Sequence, residues 1–182
     1  MKLQDSRYFK EAKLMLETIP SVATEDCFAL KGGTAINFFV RNMPRLSVDI
    51  DLTYLPLEKR ETSIEKMSDA LKRIASRITK LRPTVQAGHV FLPKTKHVIK
   101  LTVTEKDVQI KIEPNLVLRG SLFPIRSRDT TEKVEEAFKM AASINTVSDA
   151  DLYGGKICAA LDRQHPRDLF DVKVLLENEG LT

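Results

Sequence analysis

The chain has 182 residues, of which 42% are hydrophobic and 30% charged, with a net charge of +4 and an isoelectric point near 9.0. That suits one soluble domain, or a core with a small appendage, large enough to fold without staples. It excludes a membrane span, because no apolar run reaches about 18 residues, and it excludes a disulfide framework, because Cys27 and Cys158 form no motif.

The amphipathic start MKLQDSRYFKEAK lacks the apolar stretch of a signal peptide, so a cytoplasmic location is expected. A first helix is predicted from Asp5 to Ile19, with Pro20 as its stop. Cys27-Phe28-Ala29-Leu30 has buried-strand length and meets the turn signal Gly32-Gly33. Thr34 to Arg41 reads as a short helix and Pro44 as the loop after it. Ser47 to Tyr54 alternates, with Val48, Ile50 and Leu52 on one face and Asp49, Asp51 and Thr53 on the other.

Thr62-Ser63-Ile64-Glu65 matches a capping box and opens a long helix that Pro83 closes. Three strands follow, Val85–Leu92, His97–Thr104 and Val108–Glu113, the last two joined by the hairpin loop Glu105-Lys106-Asp107. Leu116–Leu118 and Leu122–Ile125 read as further extended pieces, and Thr131–Ala142, Asp149–Leu161 and Asp168–Asn178 as helices, with a break at Pro166. The order predicts an α/β (α+β) fold, a mixed sheet flanked by helices. Residues 1–129 are expected as the core and 130–182 as a helical subdomain, or as one continuous domain with it.

The chemistry concentrates in Lys31-Gly32-Gly33-Thr34, followed after fourteen residues by Asp49-Ile50-Asp51. Carboxylates at i and i+2 of a strand point the same way, and their repulsion is relieved by a divalent cation such as Mg²⁺. Glycines between a strand and a helix let backbone N–H groups approach a phosphate, and Thr34 adds a hydroxyl. Glu113 ends a later strand on its polar face and is a candidate third carboxylate for a two-metal arrangement. The bland readings are a plain turn for the glycines, a solvated strand face for Asp49 and Asp51, and a surface pair with Lys111 for Glu113.

These residues resemble the nucleotidyltransferase superfamily, and more closely the AbiEii/AbiGii nucleotidyltransferase-like toxins of type IV toxin–antitoxin and phage-abortive systems. The resemblance rests on KGGTAINFFVRNMPRLSVDIDL, IKIEPN and LYGGKICAALDRQHPRDLFDV, from Lys31 to Val172. It implies that Lys31, Gly32, Gly33 and Thr34 bind the triphosphate and that Asp49, Asp51 and Glu113 bind Mg²⁺ or Mn²⁺. It also implies that Lys156, Arg163 and Arg167 meet phosphate, while Asp168 accepts a proton or orients Lys156, with Asp171 one helical turn later. Glu113 stands where many polymerases of the superfamily carry Asp. Many relatives continue with a further helical region, so a minimal member, a truncated copy and a partial chain are all compatible with the resemblance.

The implied activity is transfer of a nucleoside monophosphate from an NTP to an acceptor, the 3′ end of tRNA, with arrest of translation and growth. A cognate antitoxin is implied, not necessarily in direct contact. The rival readings are transfer to a protein side chain and a nucleotide-binding remnant without turnover. Lys94, Lys96, Lys100, Arg119, Arg126 and Arg128 are candidate contacts to an RNA backbone. His89, His97 and His165 share no ligand spacing and read as surface or structural residues; neither cysteine has a partner arguing for a nucleophile.

Overall fold

The computed structural model describes residues 6–178 and 180. The chain folds as α1 (Arg7–Val22), β1 (Phe28–Lys31), α2 (Gly32–Thr34, continued by the π-helical Ala35–Val40), β2 (Asp49–Tyr54), α3 (Arg60–Leu81), β3 (Gln86–Phe91), β4 (Val98–Glu105) and β5 (Val108–Pro114). It then forms β6 (Arg126–Asp129), α4 (Glu132–Phe138), β7 (Ser143–Thr146), α5 (Asp149–Arg163) and α6 (Pro166–Asn178).

The strands make one mixed sheet in the order β3-β4-β5-β2-β1-β7-β6. β2 runs parallel to β5 and antiparallel to β1, and β1 runs parallel to β7. Along β5 the alternation is complete: Val108, Ile110 and Ile112 are buried while Gln109, Lys111 and Glu113 are exposed. With Ile50, Leu52, Leu101 and Val103 they form the face that packs on α1 and α3. The opposite face of β2, carrying Asp49 and Asp51, is only half-buried and therefore available for chemistry.

Several expectations are corrected. α1 continues through Pro20 to Val22, because Ser21 and Val22 are buried while the proline ring stays exposed in the last turn. Thr62 does not cap α3; the helix begins at Arg60, its N-cap Lys59 makes no side-chain bond, and Ser63 Oγ donates back to the Lys59 carbonyl. Leu116–Leu118 and Leu122–Ile125 form no strand. Asn115 Oδ1 accepts from the backbone of Val117 and Leu118, and Asp151 accepts from that of Leu122 and Phe123.

The helix expected over Thr131–Ala142 ends at Phe138 with Lys139 in the left-handed conformation, and β7 follows. β7 lies between β1 and β6, so the sheet runs across the expected boundary at 129/130. Pro166 does not merely break a helix. It is the first residue of α6, where its missing N–H costs nothing.

Candidate active site

β1 brings Lys31 opposite Asp51. The chain then turns at Gly32, whose φ of +72° lies in the left-handed region that favours glycine. A β-carbon on Gly32 would sit 2.6 Å from Asp51 Oδ2, and one on Gly33 would sit 2.7 Å from Arg45 Nη2. Bare backbone is therefore pressed between a carboxylate and a guanidinium. Thr34 is fully buried. Its hydroxyl donates to the Asp49 carbonyl at 2.5 Å and lies 2.9 Å from Ser47 Oγ. Instead of facing the solvent side with the glycines, it braces β2 from beneath.

Across the sheet, Lys31 pairs in register with Asp51, and Asp51 with Glu113. Lys100 on β4 reaches Glu113 with Nζ 2.9 Å from Oε2. A row of cation, two carboxylates and cation thus crosses four strands. Burial pushes the Asp51 carboxyl above its ordinary range; Asp49 and then Glu113 add to this, while Lys31 and Lys156 oppose it. Burial pulls the Lys31 ammonium down, against the attraction of Asp51.

The second half of the site comes from the α5–α6 hairpin, which turns through Gln164 and His165. Lys156 is buried, with Nζ 2.8 Å from Asp168 Oδ1 and 3.2 Å from Asp171 Oδ2. Arg163 Nε donates to Asp168 Oδ2 at 2.6 Å. Arg45 grips Asp171 through two bonds, Nε to Oδ1 at 2.8 Å and Nη2 to Oδ2 at 2.5 Å. Asn37 Nδ2 also donates to Asp171 Oδ1, at 3.2 Å. Burial alone would raise the Asp168 carboxyl, but hydrogen bonds from Arg163 and Lys156 overcome it and hold the group at about 2. A carboxyl held that low is a poor proton acceptor near neutral pH.

One cleft collects Gly33, Arg45, Ser47, Asp49, Asp51, Lys156, Arg163, His165, Arg167 and Asp168. Most of the residues singled out by sequence meet there. Lys31, Gly32 and Glu113 stand beside it through Asp51, and Thr34 lies under it. Sequence reasoning missed Arg45 and Ser47 as site residues and set His165 aside. Arg45 and Ser47 lie within the segment RLSVDID, but the partner that fixes Arg45 is 126 residues away. His165 enters because it forms the hairpin turn, where its Nδ1 accepts from the Arg167 backbone.

The candidate RNA contacts are largely engaged within the fold. Arg119 donates to Ser63 Oγ, Arg126 and Arg128 bind Asp149, and Lys100 holds Glu113. Burial pushes the Cys27 thiol up to about 11, which disfavours the thiolate.

The donor chemistry fits a hard divalent cation. Asp49 and Asp51 present carboxylate oxygens from one strand face, and Asp51 is raised by burial first and by the neighbouring Asp49 second. Among the described residues no three His, Cys, Asp or Glu side chains gather closely enough to hold a metal. In this arrangement the aspartates act as a pair and Glu113 stays with Lys100. The cleft is thus bipolar, with aspartates on β2 facing cations on α5, α6 and Arg45.

A family model described as nucleotidyl transferase AbiEii toxin, type IV TA system, matches residues 13–182. Among solved structures, the chain is similar to MenT4, the nucleotidyltransferase toxin Rv2826c from Mycobacterium tuberculosis H37Rv. The two share 13% identity with a TM-score of 0.70, over 97% of this chain and 61% of that one. It is also similar to JHP933 from Helicobacter pylori, at 18% identity and a TM-score of 0.60, over 96% of this chain and 68% of that one. This chain therefore spans about three fifths of the length of MenT4. A search of curated protein sequences finds no match. Among the described residues no helix is long and apolar enough to cross a membrane.

Proposed function

The chain belongs to the AbiEii family of nucleotidyltransferase toxins of type IV toxin–antitoxin systems, and on that premise we propose that it transfers a nucleoside monophosphate from an NTP to the 3′ end of a tRNA. The reaction uses Mg²⁺ or Mn²⁺ and arrests translation and growth. A cognate antitoxin opposes it without needing direct contact. The observation that carries the reading is the bipolar cleft, in which the Asp49 and Asp51 carboxylates face Lys156, Arg163, Arg167 and Arg45. A metal–triphosphate complex has the same polarity, positive at the metal and negative along the phosphates.

Asp49 and Asp51 hold the metal, and Gly32 and Gly33 let the triphosphate approach the backbone. Lys31 opposes the upward push that burial and Asp49 give the Asp51 carboxyl. Lys156, aimed by Asp168, and the arginines of the α5–α6 hairpin take the phosphate charge. The metal, when bound, offsets negative charge on the triphosphate and on the leaving pyrophosphate. The acceptor hydroxyl oxygen bonds to the α-phosphorus while the bond to the bridging oxygen breaks, so that pyrophosphate leaves. Glu113, the most exposed of the three carboxylates, lets go of Lys100 and assists at the metal side by taking the hydroxyl proton.

The test is incubation with total tRNA, Mg²⁺ and each α-³²P-labelled NTP, with Asp49→Ala and Asp51→Ala alongside. Label on tRNA that both variants lose is the expected result. Label on protein would replace tRNA with a side-chain acceptor. Metal-dependent NTP binding with no labelled product would make the chain a nucleotide-binding module.

A further inference from the structure

We propose that Arg45 is itself a triphosphate-binding residue of this cleft and that Asp171 is the positioning residue that holds it there. The inference rests on the nucleotidyl-transfer reading above and extends it to residues outside the glycine, Asp-x-Asp and Lys156 set.

The first ground is geometry. Asp171 is only 1% exposed, so its carboxylate must be neutralised and hydrogen-bonded inside the protein. Arg45 meets it with a two-point fork, which fixes the guanidinium plane in a way a single contact would not. That plane is set against Gly33, where Nη2 would be 2.7 Å from an added β-carbon. The glycine turn and the guanidinium are therefore fitted to one another, and Arg45 lines the cleft.

The second ground is unused capacity. Arg45 spends Nε and Nη2 on Asp171 and Nη1 on the Leu46 carbonyl. A guanidinium carries more N–H groups than these bonds consume. The third ground is charge. Arg45, Lys156 and Arg163 share two carboxylates, Asp168 and Asp171, and Lys156 bridges both. Three cations on two anions leave one positive charge over on the hairpin side of the cleft, where Arg167 also lies, opposite the Asp49 and Asp51 carboxylates that would carry the metal. An anion between Gly33 and the hairpin would balance it. An ion pair serving only to pin α6 to the loop before β2 would need neither the surplus nor a place in the cleft.

The experiment is equilibrium binding, with Mg²⁺, of the α,β-methylene analogues of the four NTPs and of the matching nucleoside monophosphates. It compares wild type, Arg45→Met, Arg45→Lys and Asp171→Asn, with folding checked by circular dichroism. In Arg45→Met the Kd of the triphosphate analogue is expected to rise about tenfold or more, the scale of a lost charge-assisted hydrogen bond. The monophosphate should bind as before. Arg45→Lys recovers part of the loss because it keeps the charge without the fork, and Asp171→Asn falls between wild type and Arg45→Met.

Unchanged triphosphate affinity in Arg45→Met, or an equal proportional loss for both ligands, would overturn the inference and leave the transferase reading standing. If Arg45→Met does not fold, Arg45→Lys decides, since a loss confined to the triphosphate supports the assignment and none refutes it. A wild-type protein that binds no analogue would overturn both readings together.

Discussion

Gly32 lies so close to Asp51 that a β-carbon on the glycine would stand 2.6 Å from the carboxylate oxygen. The glycine also has φ +72°, so an alanine there is strained as well as crowded. Gly32→Ala is expected to cost about 1 kcal/mol or more in stability and to displace the Asp51 carboxylate, reducing transfer at least tenfold. Gly154 and Gly155 in α5 are the contrast, because an added β-carbon meets nothing within 4 Å at either. Each Gly→Ala change there should stabilise the helix by about 0.5–1 kcal/mol. Thermal melts of the three variants check this, and a stable, fully active Gly32→Ala protein would refute the close-approach argument.

Lys156 is the shared cation of Asp168 and Asp171, both nearly inaccessible. Removing it in Lys156→Met leaves Arg163 alone on Asp168, and Arg45 with Asn37 on Asp171. The expected loss is about 3 kcal/mol, the low end for breaking a buried pair, because each carboxylate keeps a partner. Asp168 also gives an acid signature. Its carboxyl is held at about 2, below its unfolded value, so its stabilisation is present above about pH 4 and is lost as pH falls toward 2. Asp168→Asn should remove that part of the acid limb. Chemical denaturation between pH 2 and 5 reads it, and identical profiles for variant and wild type would refute it.

What the sequence made legible follows from local physics. The period-two pattern of Val108–Glu113 appears unchanged in the burial of β5. That of Ser47–Tyr54 holds from Asp49 to Leu52 of β2 but not at Thr53, which is buried, nor at Val48, which is half-buried before the strand begins. The pairing of Asp51 with Glu113 was not readable, since register depends on how β2 and β5 lie parallel. β7 was missed because Ser-Ile-Asn-Thr carries one strongly apolar residue, and its place is set by β1 and β6 on either side. Arg45 was missed for a similar reason. A single arginine in a loop means little until Asp171 folds back onto it. Pro20 misled in the other direction, because in the last turn of α1 the burial of Ser21 and Val22 outweighs the lost bond.

Thr34 separates two roles for one hydroxyl. It is fully buried and donates to the Asp49 carbonyl, next to Ser47. Thr34→Val keeps the shape and removes the donor to a part-buried carbonyl, at a cost of about 0.5–1.5 kcal/mol. Affinity for an NTP should fall only as far as β2 shifts, less than in Asp51→Ala. Melting and nucleotide binding on the same samples test this. A Thr34→Val protein as stable as wild type but unable to bind NTP would return the hydroxyl to the phosphate.

Metal binding should carry the signature of Asp51. Its carboxyl is raised by burial first, then by Asp49, with Glu113 adding to the effect and Lys31 opposing it. The ionised form is the ligand, so Mn²⁺ affinity should fall as pH drops through a midpoint above the ordinary carboxylate range near 4. Lys31→Met removes a cation that favours ionisation, so the midpoint moves up. Glu113→Gln removes a like charge, so the midpoint moves down. Electron paramagnetic resonance of free Mn²⁺ across a pH series measures both shifts without requiring turnover. Opposite displacements identify the Lys31–Asp51–Glu113 row as the electrostatic control of the metal site. Displacements of the same sign would mean that the two variants act by distorting the strands, and the row would lose that role.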